Sequence, residues 1–280
     1  MADYEDIMDK RYKDLIDAVQ KHYSSEAPEL RNIIKHDKLF DFKGCDWLKQ
    51  EINLWTYWQG AEAEISEIMI IGQDFGTCYD PKNQDFYRYL CESTDDYVKK
   101  SQTYISRIEA DSKNKTDNNL LLLTAELGKK YCANIPANRS LFFTNMCLGY
   151  RSGSGISGGN VSYYMKHDSV YIKELICIKQ PKVVICLGSD TYFAMLSCLS
   201  VDNNVLSSIA IDFWTLLETA DNYIDTSIGE LDLRIYGVSH AGAYGLVNRK
   251  KLTGHKDDNF TGLDLMKSDW GRIGAYLNSR

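Results

Sequence analysis

The chain has 280 residues, of which 44% are hydrophobic and 25% charged, so it can bury a large core and is typical of a globular protein rather than a disordered one. No apolar run is long enough to span a bilayer and no signal-peptide-like segment opens the chain, so we expect a cytoplasmic protein without a membrane partner. The net charge of −7 argues against a broadly basic surface for nucleic acid, although a local basic rim remains compatible with it.

Hydrophobic periodicity predicts helices and strands that alternate along much of the chain. It predicts an amphipathic helix over 4–23 and a second helix over 46–60. Short runs that are apolar at nearly every position predict strands at 68–72, 141–145, 182–188 and 233–240. Helices are expected between these strands at 120–131, 170–180 and 191–199, and a last helix over about 260–278.

Wholly apolar strands that alternate with helices indicate a sheet buried on both faces. We therefore predict a three-layer α/β/α sandwich with a central, mostly parallel four-stranded sheet. The chain is expected to be one domain, with a helical extension over about 1–62, a core over about 65–250 and the C-terminal helix. A polar insertion is expected at 92–118. The glycine-rich segment 149–159 is either a flexible loop or a loop that closes over a ligand.

Polar residues follow each predicted strand at the point where it ends. They are Gln73-Asp74, Asn145, Gly188-Ser189-Asp190 and Ser239-His240. Taken singly, these residues have ordinary interpretations, since an aspartate often caps a helix, an asparagine often forms a turn and a loop histidine is often only solvated. Because ligands of such sheets bind beyond the carboxyl ends of the strands, we expect a site at this edge.

Four motifs in a fixed order carry a family resemblance. They are GQDFG at 72–76, LFFTNMCLGYR at 141–151, PKVVICLGSDTYFAML at 181–196 and IYGVSHAGAYG at 235–245. Together they resemble the uracil-DNA glycosylase superfamily over roughly residues 65–250. The resemblance implies that Asp74 stabilises an oxocarbenium-like sugar and positions water, and that His240 donates to the departing base. It implies that Asn145 reads the edge of a flipped pyrimidine.

The same resemblance assigns further residues to the base and to DNA. Two aromatic residues, Tyr79 and Phe86, are alternatives for stacking on the flipped base, and either one could instead be simple core packing. The implied base-binding residues are Gln73, Phe75, Gly76, Tyr79, Phe86 and Asn145. The implied DNA-binding residues are Arg151, Ser189, Tyr244, Arg249, Lys250 and Lys251.

Departures from the family pattern bear on the substrate. Gly76 stands where the uracil-specific branch has a tyrosine beside C5 of the base, so the pocket is expected to admit a C5 substituent. Tyr244 stands where the family often has a leucine that inserts into the DNA duplex. The eight cysteines include no Cys-x-x-Cys pair, so we expect no iron–sulfur cluster, no metal and no cofactor.

The expected activity is release of a pyrimidine from DNA, either uracil or a C5-modified base such as phage DNA can carry, which would give the protein a role in antiphage defence. The chain is expected to act as a monomer on single- or double-stranded DNA. One alternative is a non-catalytic module that senses DNA or a nucleotide in the same cleft. An unrelated nucleotide-binding protein would need a phosphate-binding glycine motif after the first strand, and none is present.

Overall fold

The computed structural model describes residues 10–12, 14–15, 17–19, 21, 33–34, 65–74, 103, 106, 115–132, 141–148, 150–151, 161–204, 206, 213–218, 222–252 and 259–279. The predicted helix at 46–60 and most of the insertion at 92–118 lie outside this part of the chain. The N-terminal residues described between 10 and 21 are helical, as the sequence predicts for 4–23.

A five-stranded, mostly parallel sheet forms the centre of the described structure. Its order is β3-β2-β5-β7-β6, with neighbours parallel except for the antiparallel pair of β6 and β7. The mixed α/β class and the mostly parallel sheet are therefore confirmed. The strands are β2 (Ile68–Gly72), β3 (Leu141–Asn145), β5 (Val183–Leu187), β6 (Tyr223–Ile228) and β7 (Leu231–Val238). Two short strands, β1 (Ile33–Ile34) and β4 (Tyr150–Arg151), pair separately in antiparallel fashion.

The prediction of four strands in this sheet is corrected, because β6 is a fifth. Its side chains are alternately half-buried and exposed, so its sequence, YIDTSI, lacks the apolar run that identified the other strands. The turn at Gly229-Glu230 joins it to β7, and Gly229 has a φ of +58°, which suits a tight two-residue hairpin. An edge strand with one solvated face has too few apolar residues to be recognised by that criterion.

Apolar side chains on opposite faces of the sheet belong to two separate core clusters. Along β2, Met69 and Ile71 belong to one cluster, and Ile68 and Ile70 belong to the other. All four side chains are buried, which explains why the strand is apolar at every position. Helices contribute to both clusters, so both faces of β2 are covered.

The described helices account for most of the segments predicted to be helical. The predicted helix 120–131 is divided in two, because Gly128 has a φ of +111° that a continuing helix does not allow. Within the described residues, no helix has the length and apolarity needed to cross a membrane. The helices are α1 (Lys115–Ala125), α2 (Lys129–Cys132), α3 (Val161–Lys179), α4 (Ser189–Cys198), α5 (Phe213–Glu218), α6 (Ala243–Leu252) and α7 (Gly262–Asn278).

A buried ion pair joins α6 to α7. Arg249 of α6 is 4% exposed, and its Nε and Nη2 lie 2.8 and 2.9 Å from the two carboxylate oxygens of Asp269. Asp269 is fully buried and also accepts a hydrogen bond from Arg272 at 2.9 Å. The assignment of Arg249 to a DNA-binding rim is therefore corrected: its guanidinium is engaged inside the protein and is not available to a phosphate.

Replacing Arg249 tests this structural role. We expect Arg249→Met to lower the free energy of unfolding by about 3 kcal/mol, because it leaves the Asp269 carboxylate buried with a weaker counter-charge. Urea denaturation measures the change. As a control, Arg11→Met removes the ion pair between Arg11 and Glu174, whose side chains are 40% and 41% exposed, respectively. This loss should lower the free energy of unfolding by at most about 1 kcal/mol. Equal, small losses in the two variants would contradict a structural role for the buried pair.

Candidate functional site

The carboxyl ends of four parallel strands meet at one edge of the sheet. Gly72 of β2 is in register with Asn145 of β3, and Leu187 of β5 is in register with Val238 of β7. The structure thus brings together the polar segments that follow these strands, as the sequence predicts for a parallel sheet. They are Gln73-Asp74, Asn145, Gly188-Ser189 and Ser239-His240.

The direction in which successive strands are added to the sheet reverses between β2 and β5. The connection from β2 leads through α1 to β3 on one side, and the connection from β5 leads through α4 towards β7 on the other. Helix α1 packs in the core cluster on one face, and α4 packs in the cluster on the opposite face. Ligands of open α/β sheets bind at such a point, which here lies between Asp74 and Ser189.

The side chain of Asn145 lies directly against Gly72. A Cβ atom added to Gly72 would overlap Oδ1 of Asn145, so the absence of a side chain at Gly72 leaves the space that the amide occupies. Asn145 is 7% exposed. Its amide offers one acceptor and two donors, so it can bind a polar ligand at this edge.

Backbone hydrogen bonds fix the segment that follows Asn145. The N–H groups of Met146 and Cys147 donate to the carbonyl oxygens of Gly72 and Gln73, each at 2.9 Å. The N–H of Leu148 donates to the buried carboxylate of Asp168 on α3 at 2.7 Å. These bonds extend the pairing of β2 and β3 past the strands, so Asp74 and Asn145 are held in a fixed relation.

His240 is held as a neutral imidazole with its proton on Nε2. Its Nδ1 accepts a hydrogen bond from the backbone N–H of Gly242 at 3.0 Å, and an acceptor nitrogen carries no proton. Protein atoms around the ring lower the pKa of His240 below its ordinary value by desolvation, and the charge of Asp74 partly opposes this shift. Part of the residue remains accessible to solvent at the sheet edge. The ring can therefore donate from Nε2 at neutral pH.

The residues expected to contact DNA differ in how the structure presents them. Ser189 is the first residue of α4 and follows Gly188, which has a φ of +97°. The N–H of Gly188 donates to the carbonyl oxygen of Val238 at 2.7 Å, which places the start of α4 close to the His240 loop. Tyr244, in the first turn of α6, is 70% exposed, Lys251 is exposed and Lys250 is half-buried. The backbone of Arg151 pairs with that of Ile33. The predictions for Phe75, Gly76, Tyr79 and Phe86 concern residues outside the described part of the chain.

Three residues that support the site were not identified from the sequence. Gly72 leaves room for the Asn145 amide, Asp168 binds the segment after Asn145, and Asn119 of α1 donates to the Ala241 carbonyl beside His240 at 2.7 Å. Asp168 and Asn119 lie in helical segments without a motif, so only the tertiary fold reveals their contacts. Gly72 was noted as a strand end, but its contact with Asn145 needs the register of the two strands.

Neither protein-family models nor curated proteins match this sequence. The resemblance to the uracil-DNA glycosylase superfamily therefore depends on the four motifs themselves. Among the described residues, no group of three or more His, Cys, Asp and Glu side chains could hold a metal ion. The chemistry that these residues offer is a carboxylate, an amide and a neutral imidazole donor at one edge.

The contact between Gly72 and Asn145 predicts a non-additive pair of substitutions. Gly72→Ala should lower the free energy of unfolding by about 1–3 kcal/mol, because the new methyl group collides with the Asn145 amide. In an Asn145→Ala background the same change should cost much less, since the colliding atoms are gone. Thermal or urea denaturation of the four proteins gives the coupling energy.

Gly271→Ala on α7 is the matched control, because a Cβ there meets no atom within 4 Å. It should be neutral or stabilising by up to about 1 kcal/mol. Strictly additive losses at Gly72 and Asn145 would mean that the two residues do not constrain each other.

Proposed function

We propose that the chain is a DNA glycosylase of the uracil-DNA glycosylase type, built as a three-layer α/β/α sandwich, that extrudes a pyrimidine nucleotide and hydrolyses its N-glycosidic bond. The observation that carries this proposal is the hydrogen bond from the Gly242 N–H to Nδ1 of His240, which leaves Nε2 as the donor at the same sheet edge as Asp74 and Asn145. A charge-free donor, a carboxylate and an amide reader are the groups that this hydrolysis needs.

In the proposed reaction the bond between C1′ of the sugar and N1 of the pyrimidine breaks, and its electron pair leaves with the base. His240 donates from Nε2 to the base carbonyl oxygen on which negative charge accumulates. The Asp74 carboxylate stabilises the positive charge that develops on the sugar and accepts a proton from the attacking water, whose oxygen forms the new bond to C1′. The departing base anion then takes up a proton at N1, so the proton released by the water balances the one gained by the base. The products are the free base and an abasic site.

Recognition of the base is assigned to the amide of Asn145, a buried residue at this edge of the sheet. A pyrimidine edge offers one acceptor and one donor to such an amide. Gln73 adjoins this position and contributes through its backbone.

Contact with the duplex is assigned to the surface around the His240 loop. Tyr244 is a large aromatic residue that is mostly exposed, which suits insertion into the stack vacated by an extruded base. The remaining phosphate contacts are Arg151, Ser189 at the start of α4, and Lys250 and Lys251 at the end of α6, without Arg249. With so few contacts and an acidic chain, binding should depend only weakly on salt.

Removing the two reacting groups tests the proposed activity. Asp74→Asn should lower base release by about 100- to 10,000-fold, because it removes the charge that stabilises the sugar and accepts the proton. His240→Ala should raise the barrier by about 2–4 kcal/mol through loss of the donor to the leaving base. Mass spectrometry of free bases, released from DNAs of different base content, measures both variants.

Two controls accompany these variants. Asp232→Asn makes the same change at the opposite end of β7 and should leave base release unchanged. DNA binding by Asp74→Asn should also persist. If the wild-type protein binds DNA but releases no base from any of these substrates, the sensing module is the better description of the chain.

The substrate class is tested at Gly76, which the family resemblance places beside C5 of the base. A glycine leaves space for a C5 substituent, so the wild type should release at least one C5-substituted pyrimidine as fast as uracil or faster. Gly76→Tyr should abolish that release by steric overlap while sparing uracil. Competition between uracil-containing and C5-modified DNA measures the preference. Exclusive release of uracil by the wild type would assign the protein to uracil repair instead of defence against modified DNA.

A further inference from the structure

The turn that follows His240 is bound by helix α1, which lies far from it in the sequence. Asn119 of α1 is 8% exposed, and its Nδ2 donates to the carbonyl oxygen of Ala241 at 2.7 Å. Ala241 is fully buried, so this oxygen has no access to water as a substitute partner. The crossover helix between β2 and β3 therefore anchors the loop at the end of β7.

The neighbouring residue of the same turn contacts both the His240 ring and α1. A Cβ added to Gly242 would lie 2.9 Å from Nδ1 of His240 and 3.1 Å from Oγ1 of Thr116 in the first turn of α1. Both distances are shorter than ordinary van der Waals contact, so only a glycine fits between the ring and the helix. The turn is thus held against α1 by a hydrogen bond at Ala241 and by close packing at Gly242.

The Ala241 carbonyl and the Gly242 N–H belong to one peptide unit, which is planar and points these two groups in opposite directions. Asn119 binds the oxygen of this unit at 2.7 Å, and Nδ1 of His240 accepts from its nitrogen at 3.0 Å. We propose that Asn119 is a positioning residue that sets the tautomer of His240 by fixing the Ala241–Gly242 peptide. The two bonds polarise the peptide in the same sense, so each strengthens the other.

Loss of the Asn119 amide would release this peptide to rotate. The Gly242 N–H would then leave Nδ1, and the imidazole would no longer be restricted to the form protonated at Nε2. The N–H bond to Nδ1 favours the neutral ring, because protonation of Nδ1 would abolish it. Its loss should therefore raise the pKa of His240 towards the ordinary value of 6.5.

Charged groups on the surrounding elements must be considered in any titration of His240. The acids are Asp74 after β2, Asp117 in the first turn of α1 and Asp190 in the first turn of α4, and the nearest lysines in sequence are Lys250 and Lys251 on α6. Asp74 acts on the imidazole in the direction that raises its pKa. A neutral replacement of Asn119 leaves all these charges in place, so a shift in pKa would come from the peptide.

The test is nitrogen-15 NMR of the full-length protein labelled at its five histidines. The His240 signals are assigned by their absence in His240→Gln, and two-bond correlation spectra distinguish protonated from unprotonated ring nitrogens. In the wild type we expect one tautomer, protonated at Nε2, and a pKa below 6.5. In Asn119→Leu, which keeps the volume and removes the donor, we expect a mixture of tautomers and a higher pKa.

Asn222→Leu is the matched control. Asn222 is fully buried and its Nδ2 donates to the Gly237 carbonyl of β7 at 3.3 Å, so the variant loses the same kind of bond three residues before His240. Its His240 spectrum should match the wild type, although its stability falls. A general loosening of the protein would change His240 in both variants and would overturn the inference, as would an unchanged spectrum in Asn119→Leu.

A wild-type His240 protonated at Nδ1 would by itself overturn the inference. If Asn119→Leu does not fold, Asn119→Ala removes the same donor, and an unchanged tautomer in that variant overturns the inference. The tautomer does not depend on the proposed function, but its effect on catalysis does, and we expect base release by Asn119→Leu to fall roughly tenfold or more. If the tautomer changes as expected while the wild type releases no base, the proposed function fails and the inference stands. If base is released but the tautomer is unaffected, the inference alone fails.

Discussion

Parallel hydrogen bonding on both edges of β2 is the constraint on which the rest of the molecule depends. The strand pairs with β3 on one side and β5 on the other, starting from the same residue, Ile68. Because all three strands run in one direction, their carboxyl ends coincide, and the polar residue that follows each strand reaches the same edge. A shift of one residue in the pairing of β2 with β3 would move the side chains of the shifted strand to the opposite face of the sheet and remove the contact between Gly72 and Asn145.

Rigid neutral groups define the chemistry at this edge more than charge does. The chain has a net charge of −7, and few lysines lie beside the His240 loop, so we do not expect it to attract a polyanion strongly. In contrast, the imidazole of His240 is held in place by a backbone N–H group before any ligand arrives, and the amide of Asn145 occupies the space that Gly72 leaves open. Groups oriented in advance stabilise a developing charge without the cost of reorganising solvent.

The sequence predicted those parts of the fold and site that depend on local pattern. Four apolar runs identified β2, β3, β5 and β7, and the polar residues after them identified the edge where Asp74 and His240 lie. The half-exposed β6 was missed, because its composition resembles a loop. Arg249 was assigned to the surface because it is one of three consecutive basic residues, a pattern typical of solvent-exposed segments. Its partner Asp269 lies on another helix, so the sequence does not indicate that the two residues pair. Asn119 carries no motif, and only the folded structure shows which carbonyl it binds.

The buried pair of Arg249 and Asp269 also bears on the order in which the molecule is completed during synthesis. Asp74 and Asn145 leave the ribosome well before His240, and Asp269 follows later still. Until α7 has emerged, Arg249 lacks its buried carboxylate partner, and α6 lacks the helix on which it packs. The helix that follows the His240 loop is therefore completed later than the strands that precede Asp74 and Asn145.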